Sequence, residues 1–404
     1  MASTATSIST NTTTTTTTMP MPITSTMKKS ICQLDFQSIL TNISHPCSRP
    51  GRPFVADFNG DNQLDFAFYC QASGQIIVLF GNGYGSFKAE KTFSTKLLDP
   101  PAHIAVGDFN NDNRSDLAIT YRDGGKKVYI LLSNDNKMFE LNTILRIEGD
   151  NILTDISVAD FNGDKYLDIV VGDIFPPSII IFVGYGNGSF SMHTMLSAVP
   201  SHVSDSFAIV DFNDDGQLDI AVTNENSTII SIYFGRGDGT FVQKWYYSGP
   251  LFSKCRILAD DFNSDTRIDF LCYNSQKNLI GLMAGFGNGA FELPKWFNIS
   301  DISPIKTYSE AQETIYFGSD YNCDDHADII SYRRDSAIFG LLGQENGNFE
   351  RQPILSLIVN EHIGDIAVGD FDNDNYQDII ATYKYPAVVK ILLNRCECCK
   401  LKKP

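Results

Sequence analysis

The phrase Asp211-Phe212-Asn213-Asp214-Asp215-Gly216-Gln217-Leu218-Asp219 is written seven times in slightly altered form, and this repetition constrains the chain more than any other feature. It recurs at Asp57 to Asp65, Asp108 to Asp116, Asp160 to Asp168, Asp261 to Asp269, Asp320 to Asp328 and Asp370 to Asp378. Successive first aspartates lie 51, 52, 51, 50, 59 and 50 residues apart. A near-constant period of this length marks an array of units, each of which buries its apolar faces only by stacking on its neighbours.

Position 1 of the phrase is Asp57, Asp108, Asp160, Asp211, Asp261, Asp320 or Asp370, and position 5 is Asp61, Asp112, Asp164, Asp215, Asp265, Asp324 or Asp374. Position 9 is Asp65, Asp116, Asp168, Asp219, Asp269, Asp328 or Asp378. Position 3 is Asn59, Asn110, Asn162, Asn213, Asn263 or Asn322, and in the last copy Asp372. Oxygen-bearing side chains at alternate positions of a tight loop converge on one point, and a carbonyl near position 7 completes the kind of oxygen shell that suits Ca²⁺. Mg²⁺ fits less well because it demands stricter octahedral geometry, and soft metals want Cys or His, which these loops lack except for Cys323 and His326. The plainer reading is that Asp and Asn are good turn formers that cap their own backbone. Against it stands the repulsion of three carboxylates within nine residues, repeated seven times. Position 6 needs a positive φ, which Gly216 accepts freely and Asn62, Asn113 and Asn375 tolerate. Lys165 suits it less, Thr266 is β-branched and Asp325 adds negative charge, so the fifth and sixth loops rank as the weakest.

The net charge of −17 belongs to these loops: their ligand positions carry 22 carboxylates, without which the balance would be +5. No basic stripe of the kind that binds phosphate backbones occurs, which argues against a nucleic-acid partner. No apolar run is long enough for a transmembrane helix. Residues 1–31 are Thr- and Ser-rich and lack the apolar stretch of a secretory signal, so they read as a disordered leader, or as an O-glycosylated stalk if the protein is exported. Nine cysteines, three of them clustered at Cys396, Cys398 and Cys399 in a Lys-rich tail of residues 396–404, leave disulfides, a soft metal and reduced bystanders open.

Each unit carries short β-rich runs: one before the first Asp (Phe54-Val55-Ala56), one starting at position 8 or 9 (Leu167 to Val171), and a third after a polar gap (Ile229 to Phe234). The third ends in a Gly-rich turn and a Phe, as in Gly81 to Phe87 and Gly235 to Phe241, and a fourth run follows. Four antiparallel strands per unit, seven times over, predict an all-β, seven-bladed β-propeller across residues 32–395. These motifs resemble the FG-GAP or VCBS repeats of integrin α-subunit propellers, with the Asp-x-Asn-x-Asp-x-x-x-Asp loop joining the first two strands. Phe80-Gly81 and Phe234-Gly235 keep the Phe-Gly half, whereas Gly-Ser-Phe or Gly-Thr-Phe replaces Gly-Ala-Pro. The Gly usual at loop position 6 is kept only at Gly216.

Ring closure follows from counting. The turn Phe precedes the next first Asp by 20 or 21 residues in five of six linked pairs, and 21 residues before Asp57 stands Phe36, in a strand-like stretch. The seventh unit stops after its third strand at Leu393-Asn394. An N-terminal strand around Phe36 is therefore expected to complete the last blade and hide both sheet edges.

Connectivity puts the acidic loops and Gly-rich turns on one face and leaves the loops between strands two and three, such as Arg122 to Gly125, Phe175 to Pro177 and Arg333 to Asp335, to recognise a partner on the other. A lengthened connection near Asn298 to Glu310 lies on that same face. Tyr69, Tyr121, Tyr273, Tyr332 and Tyr383 end the second strands; they either pack between blades or form an aromatic ring for sugars or a protein. Nothing in the sequence proposes catalysis: the six histidines hold no paired position and no nucleophile motif occurs. The leading expectation is a calcium-binding adhesion or protein-interaction module, and the second a lectin, because related propellers bind sugars. A lipase- or lyase-associated propeller stands third, because FG-GAP-like blades accompany such enzymes. Loops of this mixed-ligand type suit millimolar calcium and thus an extracellular setting.

Overall fold

In the second and third strands of each unit, apolar side chains occupy both alternating faces. Phe66, Ala67, Phe68, Ile76, Ile77 and Val78 are all buried, as are Ile179, Ile180 and Ile181. A sheet apolar on both faces must be covered on both, and here the cover on each side is another sheet. The computed structural model describes residues 34–41, 47, 50–71, 73–94, 101–121, 125–135, 138–149, 153–173, 177–197, 203–224, 229–249, 252, 255–274, 277, 279–298, 313–333, 337–345, 347–356, 362–385, 388–396 and 399, all in the unit Cys32–Pro404. The leader of residues 1–31 lies outside the described residues.

A first strand, β1 (Phe36–Thr41), precedes the blades. Blade one is β2 (Pro50–Ala56), β3 (Asp65–Cys70), β4 (Gln75–Gly81) and β5 (Phe87–Ser94); blade two is β6 (Pro101–Gly107), β7 (Asp116–Tyr121), β8 (Lys127–Asn134) and β9 (Met138–Arg146). Blade three is β10 (Leu153–Ala159), β11 (Asp168–Asp173), β12 (Ser178–Gly184) and β13 (Phe190–Ser197); blade four is β14 (Val203–Val210), β15 (Asp219–Asn224), β16 (Ile229–Gly235) and β17 (Phe241–Ser248). Blade five is β18 (Cys255–Asp260), β19 (Asp269–Asn274), β20 (Leu279–Met283) and β21 (Lys295–Asn298); blade six is β22 (Glu313–Ser319), β23 (Asp328–Arg333), β24 (Ala337–Gly343) and β25 (Phe349–Ser356). Blade seven takes β26 (His362–Gly369), β27 (Asp378–Tyr385) and β28 (Val388–Asn394) from the end of the chain. Every sheet is four-stranded and antiparallel in chain order, and the seventh is ordered β26, β27, β28, β1.

The ring closes as the count from Asp57 requires. β1 pairs with β28 so that Phe36 stands opposite Asn394, the register in which Phe87 faces Gly81 and Phe241 faces Gly235. β2 also packs against β26, bringing blade one against blade seven. Gln352 on β25 clasps Leu34 in both directions: Leu34 N donates to Gln352 Oε1 at 3.0 Å and Gln352 Nε2 donates to Leu34 O at 2.8 Å.

The core is distributed rather than central. Among the described residues seven apolar clusters each join two neighbouring blades, from Ile76 and Tyr121 between blades one and two round to Phe66 and Ile391 between blades one and seven. A repeat protein escapes the size limit on a single core in this way. β13 shows the opposite extreme: its residues are partly or fully exposed, as befits the outermost strand of a blade.

Candidate metal centre

Each acidic phrase folds into the same loop because its side chains satisfy its own backbone. Oδ2 of the first Asp accepts the position-6 N–H in all seven copies, at 2.6 Å from Asn62 and Gly216 and up to 2.9 Å from Asn113. Its Oδ1 accepts the position-5 N–H, and the position-5 Oδ1 in turn accepts the position-7 N–H, again in every copy. Position 6 is left-handed throughout, including Thr266 at φ 68°, which a β-branched residue adopts only under strain. Position 4 is left-handed as well, from Asp214 at 56° to Gly60 at 75°. That second requirement is hidden in the sequence by the variety of residues meeting it: Gly, Asn, Asp, Ser and Cys.

The ninth aspartate ties the loop to the rest of its blade. It is completely buried in all seven copies. One oxygen accepts the N–H at the end of the third strand: Gly81, Ser133, Gly184, Gly235, Gly285, Gly343 or Asn394, at 2.7 to 2.9 Å. The other accepts the position-2 N–H in six loops. In the fifth loop Phe262 N turns to Asp260 O instead, leaving Asp269 Oδ2 buried without a hydrogen-bond partner. Close approach requires glycine at Gly235, where a Cβ would lie 2.2 Å from Leu218 O, whereas Ser133 and Asn394 take this position in blades two and seven.

Burial, reinforced by the carboxylates at positions 1 and 5, or in the last loop by Asp372 and Asp374, raises the ninth aspartates well above the usual carboxylate range. Asp65, Asp219, Asp269 and Asp378 are pushed up to about 7, Asp116 and Asp168 to about 6, and Asp328 to about 8. Neighbouring carboxylates that raise one another's proton affinity, with Asp269 Oδ2 buried and unpartnered in the fifth loop, fit a hard divalent cation, although among the described residues three carboxylates converge only in the seventh loop. The soft donors of the sixth loop are already engaged. Cys323 is disulfide-bonded to Cys399, and His326 Nδ1 is hydrogen-bonded to Ser264 Oγ. In the seventh loop, carboxylate oxygens of Asp370, Asp372 and Asp374 lie within 4.8 Å of one another.

The same face holds the blades together. The position-2 aromatic of one blade meets the turn Phe of the next edge-on: Phe58 with Phe139 at 5.6 Å, Phe109 with Phe190 at 5.4 Å, Phe161 with Phe241 at 5.6 Å, and round the closure Phe371 with Phe87 at 6.4 Å. The carbonyl of that same aromatic accepts an N–H from the next blade's glycine turn: Gly188 to Phe109, Gly239 to Phe161, Gly289 to Phe212 and Gly85 to Phe371, at 2.8 to 3.1 Å. The signal was available in the sequence, since position 2 is Phe six times and Tyr321 once. The loops are thus part of the seams between blades, not appendages to them.

Tyr69, Tyr121, Tyr273, Tyr332 and Tyr383 are all buried. Tyr121 stacks edge-on against Tyr129 at 5.1 Å, and Tyr332 Oη lies 3.3 Å from Asp365 Oδ1 of blade seven. They fill the spaces between blades and offer no exposed aromatic ring. Cys47–Cys70, Cys255–Cys272 and Cys323–Cys399 are disulfides, so Cys399 is not part of a thiolate metal cluster; Cys32 and Cys398 lie outside the described residues. Most of the expected recognition loops, including 122–124, 174–176 and 334–336, and most of the lengthened connection at 298–310 also lie outside them. No helix among the described residues is long and apolar enough to cross a membrane.

Three solved structures share the architecture. A chain from the complex of BBS1N with ARL6DN has a TM-score of 0.58 and 12% identity, covering 89% of this chain and 97% of that one. An Agrocybe aegerita lectin, described as recognising non-reducing terminal N-acetylglucosamine, has a TM-score of 0.55 and 17% identity, covering 89% and 86%. A Lactobacillus plantarum protein has a TM-score of 0.51 and 11% identity, covering 82% and 89%. At these identities the likeness is one of fold. No curated protein sequence matches the chain. The profile of the family described as FG-GAP-like repeat matches residues 57–119, 108–171, 211–272 and 320–381, each span running from one acidic loop to just past the next. Together the matches cover more than half of the chain, which therefore belongs to the FG-GAP-like repeat family.

Proposed function

We propose that this chain is a non-catalytic, calcium-stabilised propeller that presents a binding surface for a protein partner, as an adhesion or interaction module. The observation that carries the calcium reading is the recurrence, at the blade seams, of a fully buried ninth aspartate beside two further carboxylates. A divalent ion would keep those groups ionised and stiffen the loops that grip the adjoining blade. The three disulfides among the described residues support an extracellular setting, where calcium is abundant and thiols oxidise. With the acidic face committed to holding blades together, the partner would meet the face carrying the loops between second and third strands.

The test of the metal reading is thermal. Chelation should lower Tm and added Ca²⁺ restore it, with Mg²⁺ much less effective, because a ligand that binds only the folded state stabilises it by mass action. A melt indifferent to Ca²⁺ overturns it.

A carbohydrate ligand is the second reading, favoured by the fold likeness to the Agrocybe aegerita lectin. A glycan array probed in Ca²⁺ and again in chelator decides between the two. Retention on defined sugars selects the lectin, and a silent array with well-folded protein selects the protein-binding module.

A further inference from the structure

The seven loops differ in what already neutralises them. In the first, Lys88 pairs with Asp61, and in the fifth Arg267 Nη2 lies 2.6 Å from Asp265 Oδ2. Each of these cations pairs with a single loop carboxylate through a half-exposed side chain, Arg267 Nε also donating to Gly285 O at 3.0 Å. The seventh loop is different. Arg395 Nη1 lies 2.6 Å from Asp372 Oδ2 and 3.2 Å from Asp374 Oδ2, bridging two of the three carboxylates that converge there.

Arg395 is held in place from behind. Its backbone N–H donates to Asp35 O at 2.6 Å and its Nε lies 3.5 Å from Gln37 Oε1, so the strand that closes the ring positions the guanidinium. Further along, Tyr376 Oη of the same loop donates to Cys399 O at 2.6 Å, and Cys399 is disulfide-bonded to Cys323 in the sixth loop. The topology explains why, among the described residues, the bridging arginine is found at this blade. Elsewhere the third strand runs into a turn that leads to the fourth, but blade seven takes its fourth strand from the other end of the chain. The chain after Asn394 is therefore free to lie across the loop. The sequence matches the geometry, since the loop facing Arg395 is the one copy with Asp rather than Asn at position 3.

We propose that Arg395 is the resident cation of the seventh loop, so that the loop with the most carboxylates at ligand positions 1, 3, 5 and 9 is the one that does not take up Ca²⁺. A guanidinium nitrogen within hydrogen-bond distance of two ligand oxygens occupies the space an ion would need, and an arginine does not deprotonate to make room. Asp372 Oδ1, buried and without a hydrogen-bond partner, becomes an available ligand once the guanidinium is gone.

The inference rests on the calcium reading only for the contrast with the other loops, and one experiment separates the two. Native mass spectrometry of the full-length, disulfide-intact protein in saturating Ca²⁺ counts the bound ions in wild type and in Arg395→Met. The expected result is a gain of one ion in Arg395→Met, abolished by adding Asp374→Asn. Should Arg395→Met fold poorly, the double variant Asp372→Asn with Arg395→Met restores the ligand set of the other six loops and is expected to show the same gain. An unchanged count in whichever variant folds overturns the proposal. If wild type binds no Ca²⁺ at all, the calcium reading fails, while a gain from none to one in the variant still supports a site masked by Arg395.

Discussion

Phe36 stands opposite Asn394 in the register that Phe87 holds opposite Gly81, although one residue of the first pair lies near each end of the described chain. The seventh blade is thus a standard blade cut open at its last turn, and the cut is where the ring is fastened. Deleting residues 34–41 should expose β28 as an edge, uncover the seam lined by Leu392 and Phe36, and replace the cooperative melt by aggregation or a sharply lowered Tm. A permuted chain carrying those residues after residue 404 through a Gly-rich linker, with the Cys323–Cys399 disulfide kept, should recover the parent melt. Calorimetry on the three chains decides the matter, and an unchanged melt on deletion would refute closure by this strand.

Lys126 and Asp173 form a buried ion pair between blades two and three, with Nζ 2.6 Å from Oδ2 and side chains 3% and 1% exposed. No other blade carries a Lys–Asp pair at these positions, so the repeat does not require it. Removing one partner takes the facing counter-charge from the other in a low-dielectric seam, a loss of up to about 3–5 kcal/mol, whereas replacing both with apolar residues is often neutral or better. Lys126→Met should therefore destabilise strongly in urea melts, and Lys126→Met with Asp173→Leu should regain most of the loss. Equal losses in the single and double variants would sink this account.

What the sequence made legible follows the repeat. Strand order, the position-6 left-handed turn and the closing strand at Phe36 all fall at fixed offsets from an aspartate. Interactions that do not repeat were out of reach. The hold of Arg395 on Asp372, the Cys323–Cys399 disulfide and the Leu34–Gln352 clasp each join residues that no period relates. The tyrosines mark an intermediate case. Their recurrence at the ends of second strands was visible, but whether they faced solvent or a neighbouring blade depended on packing that local pattern does not encode.

Asp219 holds two amides at once, Phe212 N at 2.9 Å and Gly235 N at 2.8 Å. Asp219→Ala orphans both buried donors, at about 1–3 kcal/mol each. Asp219→Asn keeps one acceptor oxygen but places an NH₂ against the second donor, so it should fall between the alanine variant and wild type. If position 9 also binds metal, the gap between wild type and either variant should widen in saturating Ca²⁺ and narrow in chelator, as urea titrations under both conditions would show. Wild-type stability in Asp219→Ala would mean that this aspartate is not the tie between loop and third strand.

The ninth aspartates also fix the sign of the pH response in metal-free protein. Burial raises them to about 6 to 8 in the folded chain, above the ordinary aspartate value near 3.9 expected when unfolded. Between those limits the folded state binds more protons than the unfolded one, so stability must fall as pH rises. Below about pH 4 both states are protonated and the slope vanishes, and above about pH 8 both are ionised and the penalty is fully developed. Calcium reverses the balance by favouring the ionised carboxylate in the folded loop, so its stabilising effect should grow with pH across the same window. Tm measured from pH 5 to 9, in chelator and in excess Ca²⁺, should give two curves that diverge toward alkaline pH. Parallel curves would show that these carboxylates do not hold the ion, and a chelated protein that gains stability with rising pH would show that burial is not what governs their charge.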